Sequence, residues 1–261
     1  MLTKDRAVCI RTVDYSETSQ VVVLFGRLSG KIRALAKGSK RPKSPFDGPI
    51  EVLSFGDIVF SGVRKESLAT LTEFQPKPVR GELRRSLYAL QCAQFAAELV
   101  DALTDEYDPH PDLFDQFVQF LEDVEEGRLE LNRRDILIRL ILFQLVLLHE
   151  VGLQPVLNRC VNCKTAFSEA WRQSYFSHLA NGLICRDCEM SFPDRILLSS
   201  KAVKHLTDVR GIANADAQTL DEIERILIRH LTALLGHRLR LAEYVQGPLN
   251  TNHGVGNPER G

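Results

Sequence analysis

The chain has 261 residues and is nearly neutral, with 33 Lys and Arg against 34 Asp and Glu. That length accommodates one or two domains with real cores, and 44% hydrophobic with 26% charged residues excludes wholesale disorder and collagen-like structure. The longest apolar stretch, Ile136 to Leu148, is interrupted by Arg139 and Gln144 and is too short to span a bilayer. The opening MLTKDRAVCIRT has no apolar run after its charges, so a secretory signal is not expected.

From residue 6 to 76 the pattern is that of strands. Ala7–Tyr15, Gln20–Phe25, Lys31–Ala36, Val52–Ser61 and Leu68–Phe74 are short runs rich in β-branched residues, separated by turn residues at 16–19, 29–30 and 61–62. Strict alternation in Lys31-Ile32-Arg33-Ala34-Leu35 places basic and apolar side chains on opposite faces. Five short strands without an intervening helix predict a small OB-type barrel over residues 1–78. Arg41-Pro42-Lys43-Ser44-Pro45 cannot lie in a central strand and reads as an exposed loop, and Gln75-Pro76-Lys77-Pro78 as a linker.

From Gly81 the period lengthens. Leu83, Leu87, Leu90, Phe95 and Leu99, then Leu113, Phe117, Leu121 and Val124, recur at helical spacing, with Asp108-Pro109-His110-Pro111 between the two sets. Asp135 to Val151 is apolar on nearly every side and predicts a buried central helix. Two further helices are expected after residue 198, one from Ser199/Ser200 and one from Thr219, which has Glu222 three positions on as a capping box. Residues 79–245 therefore form an all-α body, and the Gly-rich, aperiodic stretch 246–261 a disordered tail. The fold class is α+β and multi-domain.

Near-neutrality conceals opposed blocks. Residues 1–80 carry 14 basic and 8 acidic side chains, 81–155 carry 6 and 15, and 156–261 carry 13 and 11. Seven basic residues (Arg27, Lys31, Arg33, Lys37, Lys40, Arg41 and Lys43) fall between 27 and 43 with no acidic one, whereas 86–127 holds eleven acidic residues and no Lys or Arg. A basic strand and loop on a barrel suit a phosphate backbone, through contacts driven by counterion release. The plainer alternative is a solvated strand edge protected against pairing. Stacking partners are scarce: Tyr15, Phe25, Phe46, Phe55 and Phe60 are the candidates, most of them expected in the core.

Four cysteines form Cys160-Val-Asn-Cys163 and Cys185-Arg-Asp-Cys188, 21 residues apart. Two residues between thiols let both sulfurs of a turn face one cation, and two such turns complete a tetrahedral thiolate site for Zn²⁺. Four thiolates leave no open position, so one structural rather than catalytic zinc is expected, in an insertion at about 158–192. Trp171, Tyr175 and Phe176 can cover its hairpin, and His178 reads as a solvated loop residue. Cys9 and Cys92 read as small buried hydrophobes. Arg159, Lys164 and Arg186 flank the ligands.

The stretch DYSETSQVVVLFGRLSGKIRALAKGSKRPKSPF (14–46), with ESLATLTEF (66–74) and GLQPVLNRCVNC…CRDC (152–188), resembles the bacterial recombination-mediator family RecO, in its zinc-bearing branch. The order barrel, helices, Cys₄ insertion and terminal helices matches too, over about residues 2–245. The resemblance implies a cytoplasmic, nucleoid-associated and non-catalytic DNA repair protein of the RecF pathway. Such a protein binds single- and double-stranded DNA and anneals complementary strands. With RecR it helps RecA replace single-strand binding protein. For the acidic, hydrophobic tail of that last partner the resemblance implies a basic-rimmed apolar groove in the helical body; its residues are not readable from the sequence, and Arg133, Arg134 and Arg139 are candidates for the rim. Two other readings stay open. One is a protein-interaction adaptor docking a basic partner on the acidic block. The other is a Mg²⁺-dependent nucleic-acid enzyme using Asp101, Asp105 and Asp108, whose plainer reading is a solvated helix surface.

Overall fold

The computed structural model describes residues 2–46, 48–62, 67–77, 86–125 and 132–246. Its N-terminal part is a closed five-stranded barrel of β1 (Leu2–Asp14), β2 (Gln20–Gly26), β3 (Gly30–Ala36), β4 (Phe55–Ser61) and β5 (Ala69–Pro76), in the order β1-β2-β3-β5-β4. The long β1 makes closure possible: its first half pairs with β4 and its second with β2, with a bulge between Cys9 and Arg11. All contacts are antiparallel except β3 with β5, which run parallel from Ala34 opposite Ala69. Gln75 and Pro76, expected in a linker, finish β5 instead, opposite Asp57 and Gly56. Gly56 permits this, because a Cβ there would lie 2.0 Å from the Gln75 carbonyl oxygen. The predicted strand from Val52 begins only at Phe55, after a turn in which Leu53 takes a left-handed φ of 73°.

Period-two alternation sorts the barrel residues into two cores. Ala7, Cys9, Val22, Leu24, Ile32 and Phe60 fill the barrel. Val8, Ile10, Val23 and Phe25, at the intervening positions of β1 and β2, pack outward against the helices. From Val22 to Phe25 the strand is continuously apolar because both of its faces are buried there.

The helical body contains α1 (Leu87–Leu103), α2 (Pro111–Glu125), α3 (Arg133–Glu150), α4 (Ser200–Thr207), α5 (Ala217–Leu235) and a single turn, α6 (Ala242–Val245). Predicted helical positions before Ser86, Leu83 among them, lie outside the described residues, as does most of the tail, 247–261. Ser86, Asn132, Ser199 and Asp216 cap the N-termini of α1, α3, α4 and α5 by accepting from the backbone N–H three residues on. Thr219 thus lies inside α5 rather than at its start, and Glu222 accepts from Ser199 N–H at 2.7 Å across to α4. As expected, α3 is the central helix, burying Ile136, Leu137, Leu140, Ile141, Leu147 and Leu148.

Between α3 and α4 the chain folds a small sheet, β7-β6-β8, from β6 (Ser174–Ser177), β7 (Gly182–Cys185) and β8 (Ile196–Leu198). Tyr175 faces the cysteines, while its neighbour Phe176 points the other way into the helical core. This alternation fastens the insertion to the body. His178 is not a solvated loop residue: its ring lies against His230 of α5, with centroids 6.2 Å apart, and Phe176 contacts both rings.

Candidate functional site

The barrel meets the helical body through an aromatic cluster and a set of ion pairs. Phe25 packs on Phe114 and Phe117 with centroids 6.0 and 6.5 Å apart, and Phe55 packs on Phe114 at 6.1 Å. Around this seam the basic strand and the acidic block find each other. Arg27 forms a two-pronged bond with Asp115 at 2.8 and 2.7 Å and holds that carboxyl below its usual range. Lys31 donates to the Asp101 carbonyl at 2.5 Å and lies 3.6 Å from its carboxylate, which Arg11 also reaches at 3.3 Å. Arg33 lies 3.5 Å from Glu106. The turn carrying Arg27 is fixed by Asp5, which accepts from Leu28 N–H and Ser29 N–H. Gly30 is required there, since a Cβ would lie 2.3 Å from the Asp108 carbonyl oxygen.

The seven basic residues therefore divide into two groups. Arg27, Lys31 and Arg33 point along the seam and face acidic partners of the same chain. Lys37, Lys40, Arg41 and Lys43 lie in the loop after β3, at the far end of the barrel. Of these only Lys40 is paired, with Asp14 at 2.7 Å; Lys37, Arg41 and Lys43 have no acidic partner among the described residues. The acidic block is a solvated surface only in part: Asp105 and Asp108 are exposed, but three of its carboxylates meet the basic strands. Asp101 is spent on Arg11 and Lys31, Glu106 on Arg33 and Asp115 on Arg27. Arg133, Arg134 and Arg139 are likewise occupied: by Asp221 at 2.7 Å, by the carbonyls of Ala213 and Ala215, and by Asp123 at 3.8 Å.

A buried network holds the basic loop to the barrel. The Gln20 side chain donates to the Ile50 carbonyl and accepts from Ile50 N–H and the Ser39 hydroxyl. Ser19 Oγ accepts from Gly38 N–H, and Lys40 N–H bonds the Thr18 carbonyl at 3.1 Å. Three of these bonds, at Gly38, Ser39 and Lys40, tie the loop to the β1–β2 corner, so the cations are presented from an anchored backbone. The only hint in the sequence is that a polar Ser-Gln pair opens an otherwise apolar strand.

The four cysteines converge. Their sulfurs all lie within 4.8 Å of one another, with Cys163 and Cys185 at 3.7 Å. Tetrahedral thiolates around zinc, at about 2.3 Å each, would stand about 3.8 Å apart, so the donor set and its spacing fit that ion. Asn162 Nδ2 and Cys185 N–H donate to the Cys188 and Cys160 sulfurs, as thiolates sharing a cation favour. The first turn closes by Cys160 N–H to the Thr165 carbonyl, with Lys164 in the left-handed region at φ 63°. The second places Cys185 at the end of β7 and Cys188 in the 3₁₀ turn Arg186–Ser191. Among the described residues this is the one cluster of three or more His, Cys, Asp or Glu side chains close enough to share a metal. Cys9 and Cys92 are fully buried elsewhere, and burial pushes both thiols up to about 12. No described helix is long and apolar enough to cross a membrane.

An OB-like closed barrel, seated on a helical body that carries a four-cysteine metal knuckle, defines a two-part class of protein. A family model described as the recombination protein O N terminal matches residues 1–78, and one described as its C terminal matches residues 84–242. The chain belongs to the recombination protein O, or RecO, family. Among its relatives, each named DNA repair protein RecO, that of Rhodopirellula baltica is 31% identical over 216 residues, 82% of this chain and 77% of its own length. Those of Bacillus pumilus and Bacillus subtilis are each 28% identical, covering 94% and 98% of both chains respectively.

Proposed function

We propose that this protein is a non-catalytic mediator of DNA repair and recombination that holds DNA on the loop end of its barrel. The observation that carries the reading is the division of the basic residues. The cations along the seam are neutralised by the chain's own helices, while Lys37, Arg41 and Lys43, with Lys40 beside them, face outward from a backbone pinned by Gln20 and Ser19. Such a cluster binds phosphates by counterion release, without regard to sequence. One zinc ion on Cys160, Cys163, Cys185 and Cys188 serves as a scaffold, because a closed thiolate shell offers no site for substrate. Family membership supports the finer account: work in the bacterial cytoplasm, binding of single- and double-stranded DNA, annealing of complementary strands, and cooperation with RecR in loading RecA onto strands coated by single-strand binding protein.

Charge reversal tests the site. Lys37→Glu, Lys40→Glu and Arg41→Glu together should abolish most DNA binding and strand annealing while leaving the circular dichroism spectrum intact. Unchanged affinity in that variant would place the DNA elsewhere. Annealing of complementary oligonucleotides, with and without single-strand binding protein, reads the mediator activity directly.

A further inference from the structure

One aromatic ring of the barrel is unaccounted for by packing. Of the five candidate stacking residues, Phe25, Phe46 and Phe60 are buried in the two cores, and Phe55 is held between Phe114 and the Lys77 ammonium. Tyr15 alone stands in solvent, 65% exposed, with no ring or hydroxyl partner among the described residues. It begins the turn between β1 and β2, where its N–H bonds the Ser19 carbonyl. The neighbouring Asp14 pairs with Lys40, and Thr18 of the same turn accepts from Lys40 N–H. The exposed ring and the basic loop are thus parts of one hydrogen-bonded corner.

Register shows what surrounds it. Val13 lies opposite Val21, which lies opposite Leu35, so the three form one cross-strand row over β1, β2 and β3. Val13 is 55% exposed, and Val21 and Leu35 are only part-buried, so this row is left uncovered by the helices. Just beyond this row the strands end: Tyr15 N–H bonds the Ser19 carbonyl across the β1–β2 turn, and Lys37 opens the turn that follows β3. Two residues inward, Arg11, Val23 and Arg33 form the row where the helical body begins. The outer face of the barrel therefore ends in an apolar strip beside an exposed ring, at the same end as the turn that carries Lys37 and Lys40.

We propose that Tyr15, with Val13 beside it, is a base-stacking platform that gives the basic loop a preference for unpaired nucleic acid strands. The inference rests on the DNA-binding reading above and adds to it the state of the strand. Phosphates can be met by Lys37, Arg41 and Lys43, but these cations cannot tell a paired strand from an unpaired one. An aromatic face can, because bases in a duplex are already stacked and only an unpaired base has a face to offer. Charge complementarity selects a polyanion as occupant, and the flat ring within a few residues of the cations selects one that carries planar bases. A mediator that pairs complementary strands needs to hold them with their bases accessible, which a shallow, solvent-facing ring allows.

The test uses the full chain and fluorescence anisotropy with three probes of equal length: a thymidine oligonucleotide, the same backbone without bases, and a duplex. Tyr15→Ala should weaken binding of the thymidine strand roughly tenfold, the loss expected for one stacked base, with the slope of log affinity against log salt unchanged. Binding of the abasic strand and of the duplex should not alter, and Tyr15→Trp should restore the thymidine affinity. An equal loss on abasic and base-bearing strands, or no loss on either, would overturn the platform, the latter pointing to a protein partner for this strip. Failure of the underlying site reads differently: Lys37→Glu/Lys40→Glu/Arg41→Glu would then leave all three probes bound as tightly as before.

Discussion

Glu224 sits at the centre of the helical body, where a carboxylate is costly. It is wholly buried on α5; its Oε2 accepts from Gln144 Nε2 at 2.7 Å, and its Oε1 has no partner among the described residues. Burial outweighs the Gln144 hydrogen bond and the nearby Arg133, and pushes the carboxyl up to about 8 from an ordinary 4.5. The folded-state value is the raised one, so above pH 4.5 the native chain keeps a proton that the unfolded chain releases. Stability is then greatest, for this group, below pH 4.5; it declines as pH rises and levels off near 8. At pH 7 the decline spans about 2.5 pH units, or about 3 kcal/mol. Glu224→Gln has nearly the same shape, can still accept from Gln144, and has no proton to lose. The variant should melt about 6–12 °C higher than the parent at pH 7, and the difference should vanish towards pH 4.5. Scanning calorimetry across pH 4.5–8.5 measures both quantities. A Gln variant that melts lower at pH 7, by an amount independent of pH, would mean that the native carboxylate is ionised and stabilised in place, and the reasoning would fail.

The buried imidazoles predict the opposite acid limb. Burial first, and His178 second, lowers His230 to about 4. The neutral ring's contribution is therefore complete above the ordinary 6.5 and is lost as pH falls from there towards 4, by about 3 kcal/mol. His230→Phe should flatten the loss of melting temperature over that range, and a parallel shift of the whole curve would argue against it. The knuckle should hold about one Zn²⁺ per chain by elemental analysis. Cys160→Ser should lower both the metal content and the melting temperature, because the three remaining thiolates lose their shared cation; full stability without metal would rule out a structural role.

Five strands, the central helix and the cysteine knuckle were legible in the sequence because each depends on short-range pattern. Short β-branched runs between turn residues marked β1 to β5, an apolar run of helical length marked α3, and two Cys-x-x-Cys turns carry their own geometry. Helix α5 was displaced by three residues at its start, since Asp216 and Thr219 are both acceptable caps and only the tertiary position of Ser199 claims Glu222 for α4. Pro76 reads as a strand breaker until Gly56, twenty positions earlier, opens the space that receives it. His178 was legible as a non-ligand but not as a buried ring, because its neighbour His230 is 52 positions away.

What the sequence by itself determined is the list of parts and the charge of each: a basic barrel, an acidic helical block, a four-cysteine knuckle. Only the tertiary structure decided which charges face each other. A linear count shows opposed blocks but not whether they meet, since ion pairs between residues some 70 to 90 positions apart depend on how the barrel docks. That docking is set by apolar burial of Phe25, Phe55 and Phe114. Once it is made, Arg27, Lys31 and Arg33 are neutralised along the seam, and of the seven basic residues those with no acidic partner among the described residues lie at the loop end, beside the exposed ring of Tyr15.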